Sequence, residues 1–369
     1  MIRIDDFELV PFALPFEELY VSARGSLERR ELILLRLRTE DGATGLGEAV
    51  PLSLRGGAGL PEVLAALDLA TGRLRGTDVT AMTEGSPVGA VAELVVELAA
   101  GGRLPPPAVA ALEMALFDLA GRITGEPVWR LLGAERAEPV ACNATLAAGA
   151  PDAVAGSASR WLSLGFSSFK LKLGTEYDVE QVAAVRQAVG PEANIRVDVN
   201  GAWSADPAIE TIGQISAFDI ELVEQPCATL DEMAEVARSV EVSIAGDESI
   251  ASEADAAAAR RKGACELATA KLAKVGGIGR AHGIAEAIPT YLSSALDGPV
   301  GIAAAAHAAQ ALYRDRPDPE LAHGLATQLL FADTIATRQC ETRDGALHLP
   351  EGPGLGVEID DSALARLRI

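Results

Sequence analysis

The sequence predicts a (β/α) barrel preceded by a smaller α+β domain, and three observations support this fold class. The chain has 369 residues, which is enough for a barrel and a second domain. From about residue 140 onward, short β-rich runs recur at intervals of about 22 to 28 residues. Alanine-rich helical stretches separate these runs, and such a steady strand–helix period favours a closed barrel over a doubly wound sheet.

The first part of the chain has the alternating pattern of half-buried strands, followed by helical patterns. Ile2 to Val10 and Glu31 to Thr39 are predicted strands, with a polar loop between them at Tyr20 to Ser26. In Pro107 to Arg122, apolar residues recur at helical spacing. We therefore expect an α+β domain over residues 1–135, which is an ordinary domain size.

Seven β-rich runs are expected to form barrel strands. In chain order they are Val140 to Leu146, Ser168 to Leu173, Ile195 to Val199, Ile220 to Glu224, Val242 to Gly246, Leu267 to Leu272 and Leu292 to Leu296. An eighth run near Gly324 to Phe331 would complete the ring. The barrel is thus predicted over residues 136–335. The turn-rich residues 336–369 are predicted to return to the first domain.

Composition excludes several classes of partner. The formal net charge is -22, and this sign opposes phosphate backbones and anionic membrane surfaces, so neither nucleic acid nor a membrane is an expected partner. No basic region precedes an apolar core at the start, and Glu93 and Glu97 interrupt the most apolar stretch, so neither a secretion signal nor a membrane span is expected. Four scattered cysteines favour buried thiols in a cytoplasmic protein over disulfides or a zinc site.

Charged residues stand at the carboxyl ends of five consecutive predicted strands, where barrel enzymes form their active sites. In chain order they are Lys170 and Lys172, Asp198 with Asn200 shortly after it, Glu224, Asp247 with Glu248, and Lys271. Side chains alternate along a strand, so Lys170 and Lys172 point to the same side, into the barrel mouth.

The three acids Asp198, Glu224 and Asp247 indicate a metal site. Clustered carboxylates repel one another and resist burial, and a divalent cation would compensate them. Oxygen-only ligands suit Mg²⁺, one per site, with Mn²⁺ as a possible substitute. Asn200 and Glu248 are expected to lie in the outer shell of that ion. The alternative is that each acid is a solvated loop residue or the ion-pair partner of a lysine, but three acids in register favour the metal.

The lysines are the candidate acid–base groups. An ammonium group near a metal and other cations has a lowered pKa and can act as a base near neutral pH. Lys172 and Lys271 come from the second and sixth strands, on opposite sides of the ring, and would flank a substrate. Lys170 is expected to tune its neighbour electrostatically. A structural ion pair with the acids is the alternative for Lys170.

Five motifs, in this order, resemble the enolase superfamily and its muconate-lactonizing-enzyme subgroup. They are Lys170-Leu171-Lys172, Asp198-Val199-Asn200, Val223-Glu224-Gln225-Pro226, Gly246-Asp247-Glu248-Ser249 and Lys271-Leu272-Ala273-Lys274-Val275-Gly276-Gly277. The resemblance covers essentially the whole chain. It implies a modified (β/α)7β TIM barrel with an α+β N-terminal capping domain. It also implies a bound Mg²⁺ and abstraction of a proton alpha to a carboxylate through an enediolate.

Finer features separate members of the superfamily. A histidine base is expected near the seventh strand in some members, but Ser293 and Ser294 stand there in this chain. Leu292 to Ile302 and His323 to Thr327 resemble segments of o-succinylbenzoate synthases. The Asp-x-Asp pair that dipeptide epimerases usually carry on the last strand is missing. The resemblance thus favours a site that does not grip a free α-ammonium group.

The leading interpretation is a lyase, an o-succinylbenzoate synthase that dehydrates its substrate in menaquinone biosynthesis. The resemblance implies that Lys172 takes the α-proton and that Lys271 stabilises the enediolate. Two isomerases are the alternatives: a muconate-type cycloisomerase and an N-acylamino acid or dipeptide racemase. A non-catalytic scaffold is the alternative from another class.

The expected partner is a small-molecule carboxylate substrate, and a homo-oligomer is also expected. The residues expected to contact the substrate are Tyr20, Ser293, Ser294 and Gly324. Tyr20 to Gly25 and Ser53 to Gly59 are expected to be capping loops that select the distal part of the substrate. No lysine or arginine occurs between Leu292 and Gln310, so neutral donors and backbone amides are expected to bind a second carboxylate there.

Overall fold

The N-terminal part of the chain begins with a three-stranded antiparallel sheet. The structure is a computed structural model that describes residues 1–22, 25–53, 56–83, 85–100, 104–312 and 321–369. The strands are β1 (Ile4–Ser22), β2 (Gly25–Thr39) and β3 (Thr44–Ala49), in the spatial order β1-β2-β3. Most of the predicted loop at Tyr20 to Ser26 is wrong, because β1 and β2 extend into it. Ala23 and Arg24 lie outside the described residues.

In the described residues, four helices follow this sheet: α1 (Leu60–Leu74), α2 (Pro87–Ala100), α3 (Pro106–Thr124) and α4 (Val128–Leu131). Of these, α1 and α3 pack against the sheet. The third, α3, begins at a proline and ends before Gly125, whose φ of 76° allows the left-handed cap. It approaches β3 closely, because a Cβ at Gly47 would lie 2.0 Å from the carbonyl oxygen of Ala111. Glycine at this position therefore brings the helix onto the sheet.

The rest of the chain builds a barrel from parallel strands. After β4 (Val140–Ala141) come β5 (Asn143–Leu146), β6 (Ser168–Lys172), β7 (Asn194–Asp198), β8 (Ile220–Glu224), β9 (Ser243–Gly246), β10 (Leu267–Ala270) and β11 (Thr290–Leu292). The intervening helices are α5 (Pro151–Ser163), α6 (Asp178–Val189), α7 (Ala205–Ile215), α8 (Leu230–Ser239), α9 (Glu253–Lys262), α10 (Leu272–Val275), α11 (Ile278–Ala287) and α12 (Pro299–Leu312). The predicted barrel class is confirmed.

Strands β5 to β11 form one parallel sheet in sequence order. The eighth position is closed by two isolated parallel bridges, Cys142 with His323 and Ser293 with Gly324. The predicted eighth run is thus correct at Gly324 but wrong in its extent, because the closing residues are His323 and Gly324 and residues 326–330 form a 3-10 helix. The seventh strand also ends earlier than predicted, so Ser293 and Ser294 follow β11.

The barrel interior is filled below its mouth. Leu222, Ala245 and Tyr291 form a buried cluster of their own, against which Leu267 and Leu321 pack. Each of the three buried members stands two residues before a residue at a strand end, namely Glu224, Asp247 and Ser293. Because side chains alternate along strands, this layer supports the residues of the mouth.

The C-terminal part contains β12 (Ala336–Arg338), β13 (Glu341–Arg343), β14 (Ala346–His348), β15 (Glu358–Ile359) and α13 (Asp361–Leu367). β14 pairs with β13 and β4, and β12 pairs with β15. Near the end of the chain, the amide of Ile369 donates to the carbonyl oxygen of Pro11. The domain bounds at residues 135 and 335 stay predictions, as does the homo-oligomer.

Helix α3 joins the N-terminal part to the rest of the chain through two buried carboxylates. Glu113 accepts hydrogen bonds from the backbone amides of Ile278 and Gly279. Asp118 accepts from the amides of Leu46, at 2.8 Å, and Leu355, at 2.7 Å. These bonds run from one helix to segments far apart in sequence, and they tie those segments together.

Two further predictions concern cysteines and membrane spans. All four cysteines are buried thiols that form no disulfide in the described residues, as the sequence predicts. In the described ranges, no helix has both the length and the apolar character needed to cross a bilayer.

Candidate active site

The barrel mouth gathers the predicted lysines and acids. Lys170 and Lys172 end β6, Asp198 ends β7 and Glu224 ends β8, while Asp247 follows β9 and Lys271 follows β10. All six side chains are buried, and the three carboxylates have no exposed surface. Because the strands are parallel and in register, with Lys172 beside Asp198 and Asp198 beside Glu224, residues distant in sequence meet here.

Lys170 joins two of the acids. Its Nζ lies 2.5 Å from Oε2 of Glu224 and 2.9 Å from Oδ2 of Asp198. The sequence analysis gave Lys170 an electrostatic role, with a structural ion pair as the alternative. The ion pair is present. The same ammonium group therefore compensates two buried charges.

Lys172 shares Asp198 with Lys170. Its Nζ lies 2.5 Å from Oδ2 of Asp198 and 3.0 Å from Oδ1 of Asn200. The side-chain amide of Asn200 in turn donates to Oε1 of Glu248 at 3.1 Å. The predicted outer residues Asn200 and Glu248 thus hydrogen-bond to each other, and Lys172 links Asn200 to Asp198.

Lys271 and Lys274 both bind Asp247. Nζ of Lys271 donates to Oδ2 of Asp247 and lies 4.0 Å from Oε1 of Glu224. Nζ of Lys274 lies 2.7 Å from Oδ1 of Asp247. The sequence analysis gave Lys274 no role, although its position one helical turn after Lys271 was a usable signal.

Charge neutralisation sets the direction of the pKa shifts in the mouth. Burial by itself would lower the pKa of Lys170, but the carboxylates of Asp198 and Glu224 outweigh it and raise the pKa well above its usual value. Burial would raise the pKa of Asp198, but Lys170, Lys172 and Lys271 lower it below its usual range. Lys170 and Asp198 are therefore charged at neutral pH.

Tyr291 reaches the same cluster from the interior layer. Its hydroxyl donates to Oε2 of Glu224 at 2.5 Å. Burial and then the charge of Glu224 raise the pKa of Tyr291 well above its usual value, so the phenol stays protonated. The sequence analysis missed this residue because it stands in an apolar run with no local sign of chemistry.

The donor set fits a hard divalent cation. The three acids offer only oxygen atoms, and Oε1 of Glu224 is buried without a hydrogen-bond partner among the described residues. As placed, no three or more His, Cys, Asp or Glu side chains within the described ranges form a ready metal cage. The carboxylates are instead bridged by ammonium groups, since Lys170 joins Asp198 to Glu224 and Lys271 lies between Glu224 and Asp247.

A cavity of about 60 Å³ lies directly above the lysines. The barrel lines it with Lys170, Lys172, Lys271, Asn200, Thr145, Thr327 and the segment Ser293 to Leu296, and the N-terminal part supplies Tyr20, Arg30, Pro51 and Leu52. Three of the predicted substrate contacts, Tyr20, Ser293 and Ser294, therefore line the cavity. Gly324 lies behind Ser293, where a Cβ would come within 2.5 Å of the Ser293 hydroxyl.

Arg30 is a cavity residue that the sequence analysis missed. It comes from β2, it is 7% exposed, and its Nη2 donates to the carbonyl oxygen of Pro51 at 2.7 Å. Its charge lies far in sequence from the stretch Leu292 to Gln310, which contains no lysine or arginine. Arg30 lines the same cavity as Ser293 and Ser294 but comes from the N-terminal sheet, and no local pattern in the sequence links it to them.

The histidines are placed as structural residues. Nδ1 of His323 accepts from the amide of Leu292 at 2.9 Å, and Nδ1 of His307 accepts from the amide of Trp129 at 3.0 Å. Burial lowers the pKa of each to about 4. Both are therefore neutral at pH 7, and neither lines the cavity.

Two family models together match most of the chain. Residues 10–133 match the mandelate racemase / muconate lactonizing enzyme N-terminal domain, and residues 153–363 match the enolase C-terminal domain-like family. Muconate cycloisomerase 1 of Acinetobacter baylyi is 30% identical over 93% of each chain. The o-succinylbenzoate synthase of Thermobifida fusca is 41% identical over 53% of this chain and 62% of its own length.

Solved structures give the same grouping. An N-succinyl Arg/Lys racemase from Bacillus cereus has a TM-score of 0.90 and 26% identity, covering 100% of this chain and 98% of that one. A dipeptide epimerase from Enterococcus faecalis, complexed with Mg and the dipeptide L-Leu-L-Tyr, has a TM-score of 0.87 and 28% identity, covering 96% and 99%. The relatives are lyases and isomerases. The chain therefore belongs to the enolase superfamily, in its muconate-lactonizing-enzyme subgroup, and is an enzyme.

Proposed function

We propose that this enzyme removes the proton alpha to a carboxylate with the help of Mg²⁺, and that its reaction is the dehydration carried out by o-succinylbenzoate synthases. The observation that carries the proposal is the pair Lys172 and Lys271. They line one cavity from different sides of the barrel, above three buried carboxylates. Two lysine amino groups that face one small cavity suit proton transfer, with the neutral amine of one accepting the α-proton and the ammonium of the other stabilising negative charge.

Asp198, Glu224 and Asp247 are the residues that would hold the metal, with Asn200 and Glu248 outside them. When bound, Mg²⁺ would stabilise the negative charge that develops on the substrate carboxylate as the α-proton leaves. The unpartnered Oε1 of Glu224 supports this role, because a buried carboxylate oxygen without a donor is costly.

The lysines would move the protons. Lys172 takes the α-proton, and the same proton then joins the departing hydroxyl, so that water leaves as the carbon–carbon double bond forms. Lys271, on the other side, contributes positive charge toward the electron-rich intermediate. Lys170 stays paired with Asp198 and Glu224 and keeps the local potential positive beside Lys172.

The distal part of the substrate would meet the wall formed by Ser293, Ser294 and Thr327. The Thr327 hydroxyl donates to Oγ of Ser294 at 2.7 Å, so the two form a connected polar surface. Arg30 lines the same cavity from above and supplies the positive charge that a second carboxylate needs. A succinyl-like group fits this chemistry.

Racemisation of N-succinylamino acids is the second candidate function. One observation favours it: Lys172 and Lys271 are both cavity residues, and a racemase needs a proton donor or acceptor on each face of the α-carbon. The B. cereus relative carries such an activity in its name. Muconate cycloisomerisation is a third reaction of the subgroup.

A side-by-side assay with Mg²⁺ tests the substrate class. The compounds are the o-succinylbenzoate precursor, N-succinylamino acids, dipeptides and cis,cis-muconate. We expect turnover of the succinyl compounds, with the precursor fastest. Turnover of dipeptides or muconate with none of the succinyl compounds would overturn the proposed substrate.

Arg30→Met tests the distal subsite. If Arg30 binds the second carboxylate, the KM for a succinyl substrate should rise about tenfold or more, since a charge-assisted hydrogen bond contributes about 1.5–3 kcal/mol. Arg29→Met is the matched control, because the neighbouring Arg29 side chain is 58% exposed and pairs only at the surface, with Glu31. An unchanged KM in Arg30→Met would remove Arg30 from the subsite.

A further inference from the structure

The two oxygens of Glu224 have different surroundings. Oε2 accepts from both Lys170 and Tyr291, each at 2.5 Å. Oε1 is buried without a hydrogen-bond partner, and the ammonium of Lys271 is 4.0 Å from it. The two bonds to Oε2 fix the rotation of the carboxylate plane. The orientation of Oε1 therefore depends on what holds Oε2.

Tyr291 is itself held rigidly in the barrel interior. Its ring packs with Leu222 and Ala245 in the buried cluster. The guanidinium of Arg196 lies over the ring, 5.0 Å from its centroid. A tyrosine in such packing keeps one rotamer, so its hydroxyl is a fixed donor.

Arg196 is fixed in turn from the lower end of the barrel. Its Nη2 lies 2.7 Å from Oε2 of Glu221, and its Nη1 donates to the carbonyl oxygen of Ala322 at 2.7 Å. Glu221, Arg196, Tyr291 and Glu224 thus form a column through the barrel. The column ends at the one oxygen of Glu224 that does not face Lys271.

We propose that Tyr291 is a positioning residue, whose hydroxyl holds Oε2 of Glu224 so that Oε1 is presented to the bound divalent cation. Lys170 alone would not fix the orientation of Glu224, because its ammonium also pairs with Asp198 and can rotate its N–H donors between the two acids. A phenol on a packed ring has a single donor in a fixed place. This inference rests on the metal site of the proposed function.

The test is Tyr291→Phe, which deletes only the hydroxyl, with Mg²⁺ binding to the full-length protein measured by calorimetry in the absence of substrate. We expect the Kd for Mg²⁺ to rise about tenfold or more, as loss of an outer-shell hydrogen bond to a metal ligand typically does. Turnover should recover toward the wild-type rate at saturating Mg²⁺. Tyr177→Phe is the matched control, because Tyr177 is 45% exposed and should leave the Kd unchanged.

The outcomes separate this inference from the proposed function. A Tyr291→Phe protein with lower thermal stability but a wild-type Kd would overturn the positioning role, since a purely structural tyrosine would behave in that way. If the wild type binds Mg²⁺, Glu224→Gln abolishes binding and Tyr291→Phe leaves the Kd unchanged, only this inference fails. A wild-type protein that binds no Mg²⁺ would overturn the metal site and the role of Tyr291 together.

Discussion

Two groups of buried acidic side chains differ in what binds their carboxyl oxygens. In the barrel mouth, Asp198 and its neighbouring acids are neutralised by lysine ammonium groups. At the start of α12, Glu48 and Asp297 form a second group, here called the junction acids. Oε1 of Glu48 accepts from the amide of Gly298 at 2.6 Å, and Oδ2 of Asp297 accepts from the amide of Ala295 at 2.5 Å. Backbone amides are the main hydrogen-bond donors there.

The pKa shifts run in opposite directions in the two groups. The lysines hold the pKa of Asp198 below its usual range despite complete burial. Burial first, and then the nearby charge of Asp297, raise the pKa of Glu48 to about 8, and backbone hydrogen bonds offset only part of that. Burial also raises the pKa of Asp297. In these two groups, the pKa is lowered for the acid that contacts lysine ammonium groups, and it is raised for the acids whose main hydrogen-bond donors are backbone amides.

The largest expected effect comes from removing a mouth ammonium that is proposed to act on substrate. Lys271→Met should lower kcat by about 10³-fold, within the range typical for loss of an acid–base or charge-stabilising group. The measurement is steady-state turnover of a succinyl substrate at saturating Mg²⁺. Lys262→Met is the control, because Lys262 is 45% exposed and pairs only with Asp231 at the surface. Near-normal turnover in Lys271→Met would rule out the opposed-lysine mechanism.

A change at Lys170 tests charge compensation through stability. Lys170→Met leaves Asp198 and Glu224 buried with one cation fewer, so the free energy of unfolding should fall by about 3–5 kcal/mol. Saturating Mg²⁺ should reduce that loss, because a divalent cation would compensate the same carboxylates. Denaturant unfolding with and without Mg²⁺ measures both values. An equal loss under the two conditions would count against metal binding at these acids.

The junction acids give the smallest of the three effects, and it depends on pH. Glu48 holds a proton more tightly in the folded state, with a pKa of about 8, than in the unfolded state, where it is about 4.5. Its contribution to stability is therefore present below pH 4.5 and is lost as the pH rises to about 8. Glu48→Gln mimics the protonated form. It should match the wild type near pH 5 and exceed its free energy of unfolding by on the order of 3 kcal/mol near pH 9.

The control for that prediction is Glu62→Gln, because Glu62 is an exposed residue in the first turn of α1. It should leave the pH profile of unfolding unchanged. If Glu48→Gln and the wild type lose stability in parallel between pH 5 and pH 9, then Glu48 is ionised throughout and the contrast between the two groups does not hold.

The strand–helix period predicted the barrel because each unit repeats the same local pattern. The eighth strand was misplaced because closure depends on only two bridging residues, His323 and Gly324, which have no β-rich run of their own. The hairpin around Tyr20 was missed for a different reason. Its strands pair with each other beyond the apolar core, where polar residues carry no alternating pattern.

The lysines and acids of the mouth were predictable because each ends a strand. Arg30 and Tyr291 were not. Arg30 reaches the cavity only because one sheet is placed over another, and such placement is tertiary information. Tyr291 meets Glu224 across the barrel interior, three strands away, and the sequence around it shows only an apolar run.

The buried carboxyl groups of Glu113 and Asp118 on α3 restrict how a ligand can reach the cavity. If the N-terminal part rotated away as a rigid lid, Glu113 would lose its hydrogen bonds from Ile278 and Gly279. Asp118 would lose its hydrogen bond from Leu355. Each such bond contributes about 0.5–1.5 kcal/mol, and the three would be lost together, so hinge opening would be rare. We therefore expect the ligand to enter the cavity through small local movements near Tyr20. The N-terminal part and the barrel should stay in contact throughout the catalytic cycle.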